Sequence, residues 1–149
     1  MGRPPIVLQN AICASPGIAV GRAFVVDRRR LRTPRRHILP DEVPREIARF
    51  RLALETSLEQ VGRMIRKLAE RASDDHYQIL EAHQLILRDE HLIEPTLRKI
   101  EEEQVNAEWA LRKTVEEIKT VFDQIDSDYF RERRSDIDFV GDRILRNLL

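Results

Sequence analysis

The pattern of hydrophobic and polar residues changes near residue 40, after which apolar residues recur every three or four positions. Such spacing has the period of an amphipathic α-helix. The first stripe predicts a helix over residues 44–71, in which Pro44 suits the first turn because its missing N–H leaves no hydrogen bond unmade. Its members are Val43, Ile47, Phe50, Leu54, Leu58, Val61, Ile65 and Leu68.

Three further helices follow along the chain. Ser73 is a candidate N-cap for a helix over 74–87, and a shorter helix is predicted at 90–102. Asn106 is the next candidate N-cap. The apolar stripe that follows it consists of Ala107, Leu111, Val115, Ile118, Phe122 and Ile125.

A last helix is predicted to open at Ser135. Asp138 lies three residues later, which resembles a capping box with Asp in place of the usual Glu. Its apolar residues are Ile137, Val140, Ile144, Leu145 and Leu148. Because short connections between amphipathic helices favour antiparallel neighbours, residues 41–149 are expected to form a helical bundle.

The beginning of the chain does not share this pattern. Residues 11–26, AICASPGIAVGRAFVV, are small, apolar and β-branched around a Pro-Gly turn, and they predict two short strands. They follow an extension at 1–10 and precede a basic connector at 27–40. Since two strands alone are marginal, we expect their partners in another copy or in a longer protein, of which this chain would be a truncated part. The predicted fold class is mainly α, a helical bundle preceded by a short β element.

Composition excludes several classes of protein. The chain has 149 residues, enough for one domain, and its 26 basic residues balance its 26 acidic ones, so no general attraction to nucleic acid or membrane is expected. Its apolar runs are far shorter than the roughly 20 residues that span a bilayer, and the start lacks a signal-peptide core. Cys13 is the single cysteine, which leaves no multi-cysteine metal site. We expect a cytoplasmic protein.

Candidate chemistry concentrates in residues 81–91, EAHQLILRDEH, with His76 just upstream. A metal ion needs about four ligands at about 2.0–2.3 Å. His76 and His83 are separated by roughly 10 Å along a helix, and the histidine pair of a zinc-protease motif is missing. Since no nucleophile is adjacent either, we expect neither a metal site nor a catalytic site.

Three consecutive aliphatic residues at 85–87 favour a different role for this segment. On a helix they sweep about 200°, so they cannot all face one core. An aliphatic residue that points outward among Glu81, His83, Asp89 and Glu90 is typical of a protein-binding surface. The alternative is that the leucines are core and the histidines are ordinary surface residues.

Three collinear segments resemble motifs of enzyme I of the bacterial phosphoenolpyruvate:sugar phosphotransferase system. ASPGIAVGRAF resembles its N-terminal signature, and ILEAHQLILRDEHL resembles its helix with Glu-x-His followed by aliphatic and acidic residues. DSDYFRERRSDIDFVGDRILRNLL resembles its motif Y-x-x-E-R-x-x-D-(I/V)-x-D-(I/V)-G-x-R-(I/L)-L-R-N. The resemblance runs from about residue 11 to residue 149.

This resemblance implies a multidomain enzyme that moves phosphate from phosphoenolpyruvate to its own histidine and then to a histidine of the carrier HPr. It implies a helical HPr-binding subdomain inserted into an α/β phosphohistidine subdomain, to which residues 11–26 would belong. It also implies a homodimer through a C-terminal domain, and Mg²⁺ for the full-length enzyme but no cofactor in this chain. The family's Gly-Gly-x-Thr-Ser-His phosphorylation motif is absent here, so we expect no catalytic residue and no activity from this chain alone.

Position by position, the resemblance also assigns a partner-binding surface. Its apolar members would supply burial, and its carboxylates would steer toward the basic rim of HPr. The residues are Asp74, Asp75, Ile79, Glu81, His83, Leu85, Ile86, Glu90, Leu92 and Arg133.

Other functions stay open at this stage. Arg88 and His91 stand where the family often has acids, and nitrogen-branch relatives that use another HPr-like carrier share the same motifs. A nucleic-acid-binding domain using Arg28–Arg36 would require strongly salt-dependent binding, although this segment lacks stacking aromatic residues. A structural bundle without a partner is the remaining alternative.

Overall fold

The computed structural model describes residues 17, 18, 20, 21, 33–70, 77–125 and 127–149. A short 3-10 turn at Pro40–Glu42 leads into the helices. These are α1 (Val43–Ala69), α2 (Tyr77–Leu87), α3 (Glu90–Glu102), α4 (Ala107–Asp123) and α5 (Asp128–Leu148). The predicted mainly α class is confirmed. No helix among these residues is both long enough and apolar enough to cross a bilayer.

The five helices share one apolar core. α1 contacts each of the other four, while α4 packs against both α3 and α5, and α2 packs against α1 and α5. Burial of one large aliphatic or aromatic side chain contributes about 1.5–3 kcal/mol, so this core is the main stabilising feature. Its largest fully buried apolar side chains include Phe50, Leu87, Leu92, Ile100, Leu111 and Ile144.

The apolar stripes predicted from the sequence face this core. In α1, Phe50, Leu54 and Val61 are buried, while Leu68 near the helix end is partly exposed. All five apolar residues predicted for the last helix are buried. Ile125 lies beyond the end of α4 and is exposed. The periodicity of apolar residues therefore identifies the buried face of the long helices, but it does not predict burial beyond the end of a helix.

The predicted start of the last helix is wrong. α5 begins at Asp128, about two turns before Ser135, which is exposed inside the helix. Asp138 pairs with Lys119 of α4 at 2.7 Å instead of forming a capping box. Residues 128–134, DYFRERR, are mostly polar, so no apolar stripe indicates that these two turns are helical.

The N-terminus of α4 is capped from another helix. Asn106 occupies the N-cap position, as predicted, but its side chain makes no capping bond. Its Oδ1 instead accepts the backbone N–H of Arg36 at 2.8 Å. Glu46 of α1 accepts the backbone N–H of Ala107 at 2.9 Å, which places a carboxylate at the positive end of the α4 dipole.

The β element predicted for residues 11–26 lies almost wholly outside the described residues. Its described positions, 17, 18, 20 and 21, form no strand. Among the described residues, antiparallel pairing occurs at a bridge between His37 and Val105. This bridge holds the end of the basic connector against the turn between α3 and α4.

A group of charges with two buried carboxylates joins the ends of three helices. Arg49 of α1 donates to Glu46 at 2.7 Å and to Glu108 of α4 at 2.6 Å. It also donates to the carbonyl of Leu148, at the end of α5, at 2.8 Å. Both carboxylates are buried, and such charges are tolerated in a protein interior when they are paired and hydrogen-bonded.

Candidate functional site

The second helix turns its three consecutive aliphatic residues in different directions. Leu87 is 1% exposed, Ile86 is half-buried against the core, and Leu85 is 69% exposed. The prediction that residues 85–87 cannot all face the core is confirmed. Leu85 therefore projects a large apolar side chain into solvent.

Other exposed residues lie close to this leucine in the sequence. Ile79 is 54% exposed, Glu81 is exposed on α2, and Glu90 is exposed in the first turn of α3. We call Ile79, Glu81, Leu85, Ile86 and Glu90 the α2 surface. It combines exposed apolar area with carboxylates, a composition suited to binding a partly basic protein partner.

His83 is buried, in contrast to the surface position expected from the sequence. It shares its face of α2 with Leu80 and is 9% exposed. Its Nε2 lies 3.3 Å from Oδ1 of Asp136 in α5, and its ring centroid lies 6.3 Å from that of Phe139. The imidazole therefore packs between α2 and α5 and has little area left for a partner.

Arg133 comes from α5, at the edge of this contact. Its Nη1 lies 3.7 Å from Oδ2 of Asp136, and its side chain is 35% exposed. The structure thus brings Arg133 close to His83 through a shared carboxylate, although the two residues are 50 positions apart in the chain. These two residues, both predicted to belong to the partner-binding surface, therefore lie near each other in the fold.

Leu92 does not lie on an exposed surface, which corrects its sequence-based assignment. It is 1% exposed and shares the inner face of α3 with Thr96 and Ile100. α3 begins just before it because Asp89 is the N-cap, whose Oδ1 accepts the backbone N–H of His91 at 2.9 Å. Leu92 is a core residue of the bundle.

Two expected partner contacts, Asp74 and Asp75, lie outside the described residues. Within the described part of the chain, no group of three or more His, Cys, Asp or Glu side chains could hold a metal ion.

Two residues at this site, Asp136 and Phe139, were not among the predicted site residues. Asp136 bonds to His83, and Phe139 is 54% exposed although its ring lies beside the imidazole. In the sequence Phe139 lies between Asp138 and Val140 within an apolar stripe, so nothing there distinguishes its exposed ring from the buried apolar residues of the same helix. Their proximity to His83 depends on the packing of α5 against α2, which no local pattern reports.

An open groove of about 670 Å³ continues from His83 and Phe139 along α5. Arg143 lines it and donates to Oε1 of Gln60 at 3.2 Å. Burial and the nearby positive charge of Arg146 lower the pKa of the Arg143 guanidinium. The groove is lined by charges of both signs, because Glu116, Asp138 and Asp142 lie in it together with Arg143 and Arg146.

Comparison with known proteins places most of the chain in one group. Residues 10–133 match the family described as "PEP-utilising enzyme, N-terminal". The chain is 37% identical over 140 residues to a phosphoenolpyruvate-protein phosphotransferase of Priestia megaterium and 33% identical to that of Bacillus subtilis (strain 168). These matches cover 94% of the chain but 24% of each relative, so the chain spans about a quarter of their length.

A solved structure shows a similar fold. It is a solution structure of the enzyme I protein nEIt, which is 35% identical to the chain and superposes with a TM-score of 0.79. The similarity covers 91% of this chain and 54% of the other.

Proposed function

The chain belongs to the family of phosphoenolpyruvate-utilising enzyme N-terminal domains, and we propose that it is the carrier-docking unit of an enzyme I-type phosphoenolpyruvate-protein phosphotransferase. Its partner in this proposal is HPr or an HPr-like phosphocarrier. The unit binds the carrier so that phosphate passes to the carrier histidine from an enzyme histidine that is not in this sequence. Docking, rather than chemistry, is the role of these residues.

The observation that carries this proposal is the exposure of Leu85 and Ile79 beside carboxylates. Leu85 is 69% exposed and Ile79 is 54% exposed, and a folded domain gains no core burial from either side chain. At an interface, a few such anchors commonly supply most of the binding free energy. Glu81 and Glu90 would speed the encounter with a basic carrier through long-range attraction.

The position of His83 also supports docking over phosphate transfer. Its Nε2 bonds to Asp136, and the residue is 9% exposed. A phosphoryl group requires an accessible nitrogen, and it would meet the negative charge of Asp136 at this one. We therefore assign His83 a structural role beneath the α2 surface.

The wider enzyme enters the proposal only as context. Residues 11–26 would belong to a phosphohistidine subdomain. Residues 41–149 would form the docking subdomain and the start of the return to the phosphohistidine subdomain. The full-length enzyme would act in the cytoplasm as a homodimer formed by its C-terminal domain, with Mg²⁺ as its cofactor.

Calorimetric titration of the chain with unphosphorylated HPr tests the docking proposal. Leu85→Ala should weaken binding by about tenfold, as expected for loss of an interface anchor. Leu52→Ala is the matched control, because Leu52 is a 64% exposed leucine on α1 outside the α2 surface. Equal affinities for the two variants would contradict the proposal.

The identity of the carrier is tested by the same titration with the HPr-like carrier of the nitrogen branch. Arg88 and His91 are exposed next to the α2 surface, where the family often has acidic residues, and Arg88 adds a positive charge. A carrier with a less basic rim would tolerate them better. Tighter binding to the nitrogen-branch carrier would assign the chain to that branch, and tighter binding to HPr would assign it to the sugar branch.

A further inference from the structure

We propose that Asp136 is a positioning residue, which sets the geometry of the docking surface by holding His83 of α2 and Arg133 of α5 on the two oxygens of one carboxylate. Its effect on carrier binding rests on the proposed function. Its effect on the His83 ring does not depend on that function, so an experiment can contradict one effect without contradicting the other.

The contacts of Asp136 join two helices at one point. Oδ1 lies 3.3 Å from Nε2 of His83, and Oδ2 lies 3.7 Å from Nη1 of Arg133. The Asp136 side chain is 22% exposed and that of His83 is 11% exposed, so water screens their interaction less than it screens a surface pair. The Asp136 carboxylate thus contacts both the buried imidazole of His83 and the partly exposed guanidinium of Arg133.

The pairing also determines which ring nitrogen of His83 carries hydrogen. An ionised carboxylate only accepts hydrogen bonds, so Nε2 must be the donor toward Asp136. In the neutral ring, Nδ1 is then the unprotonated nitrogen. Packing against Phe139, with 6.3 Å between ring centroids, restricts the ring from the other side.

The consequence for docking follows from helical spacing. Ile79 and Ile86 lie four residues before and three residues after His83, so they flank it on the same side of α2. Any shift of His83 relative to α5 therefore moves these apolar residues relative to Arg133. By holding both His83 and Arg133, Asp136 fixes the distance between the apolar and cationic parts of the surface.

Nuclear magnetic resonance of the ring tests the first half of the proposal. In the ¹⁵N-labelled chain, at a pH where the ring signals are those of the neutral form, the Hε2 proton of His83 should be observable and slow to exchange. In Asp136→Ala it should exchange too fast to observe. The matched control is Asp138→Asn, because Asp138 forms its ion pair with Lys119 of α4; it should leave the His83 signals unchanged.

A double-mutant cycle tests the second half. Arg133→Ala and Asp136→Ala should each weaken HPr binding on the order of fivefold, and the double variant should bind no more weakly than Arg133→Ala alone. This non-additivity is what action through Arg133 requires, and a fivefold coupling corresponds to about 1 kcal/mol. Thermal unfolding and the dispersion of amide signals verify that each variant is folded.

The outcomes separate the possible failures. If Asp136→Ala weakens binding equally with and without Arg133, or if the His83 proton is observed equally in Asp136→Ala, Asp136 is not the positioning residue. Asp136→Asn provides a milder variant, since its amide oxygen can still accept from Nε2 while the charge facing Arg133 is lost; it should keep the His83 signal and still lose affinity. If the unmodified chain binds no carrier while the ring result holds, the proposed function fails and the His83–Asp136 bond stands.

Discussion

The guanidinium of Arg49 lies 2.6 Å from the carboxylate of Glu108, and the same nitrogen donates to the Leu148 carbonyl at 2.8 Å. Burial raises the pKa of Glu108, but hydrogen bonds from its own backbone N–H, from Arg49 and from Asn106 outweigh burial, so its pKa lies below the usual value. Burial likewise lowers the pKa of Arg49, while its two carboxylate partners raise it above the usual value.

Glu108→Gln should therefore reduce the free energy of unfolding at pH 7 by about 1–3 kcal/mol, because it leaves Arg49 with one carboxylate fewer. A carboxyl group with a depressed folded-state pKa stabilises the fold above its unfolded pKa, and this contribution is lost as pH falls through the folded pKa. The stability gap between wild type and Glu108→Gln should thus narrow below about pH 4.5. Urea unfolding at pH 7 and at pH 3–4 measures this.

Glu59→Gln is the control for that experiment. Glu59 pairs with Arg63 at 3.1 Å, and both side chains are 62% exposed, so this pair contributes about 0–1 kcal/mol. A loss as large as that of Glu108→Gln would show that burial of the Arg49 cluster does not matter.

The two glycines within α1 and α5 should respond oppositely to alanine. A Cβ at Gly141 would lie 2.9 Å from Cγ2 of Val115, whereas a Cβ at Gly62 would meet nothing closer than 3.6 Å. Alanine gains up to about 1 kcal/mol in a helix, but overpacking costs about 1–3 kcal/mol. Gly62→Ala should raise the melting temperature and Gly141→Ala should lower it.

Val115→Ala in the Gly141→Ala background should restore part of the lost stability, because it removes the methyl group that the new Cβ meets. If Gly141→Ala proves as stabilising as Gly62→Ala, α4 and α5 do not approach each other at this point as closely as the structure shows.

Leu92→Ala should lower the free energy of unfolding by about 2–5 kcal/mol, the usual cost of a cavity in a core. Its affinity for HPr, measured by calorimetry below the melting transition, should change by less than about twofold, since the side chain is 1% exposed. Leu85→Ala should show the reverse pattern. A large loss of affinity with unchanged stability in Leu92→Ala would show that Leu92 belongs to the partner-binding surface after all.

Removal of divalent metal should leave docking intact, because the contacts proposed for the α2 surface are apolar burial and charge attraction to a basic carrier, and neither uses a bound ion. Titrations with HPr in 1 mM Mg²⁺ and in excess EDTA are expected to give the same affinity. A metal-dependent affinity would revive a ligand role for the histidines.

The helices could be predicted from sequence because their apolar residues repeat with the helical period over several turns. The same period held a signal for His83, since Leu80, His83 and Leu87 are spaced as one face of a helix. The sequence interpretation instead followed the resemblance and placed His83 on the surface. Leu92 was misplaced for the same reason, although Thr96 and Ile100 continue its buried face at a spacing of four.

Contacts between residues that lie far apart in the chain could not be predicted from local sequence patterns. The pairing of Asp136 with His83 spans 53 positions, and the Arg49–Leu148 bond spans 99; both depend on how helices meet. The first two turns of α5 were missed because their residues are mostly polar, so their helical conformation extends from the apolar stripe that follows.

The most direct test of the docking proposal is to map the carrier on the chain. Amide signals of the ¹⁵N-labelled chain are followed while unlabelled HPr is added. The account predicts that chemical-shift changes concentrate in residues 79–90 and around Arg133, and spare the exposed end of α4 near Val121. Changes centred on α4, or an absence of changes at saturating HPr, would contradict the assignment of the α2 surface as the docking site.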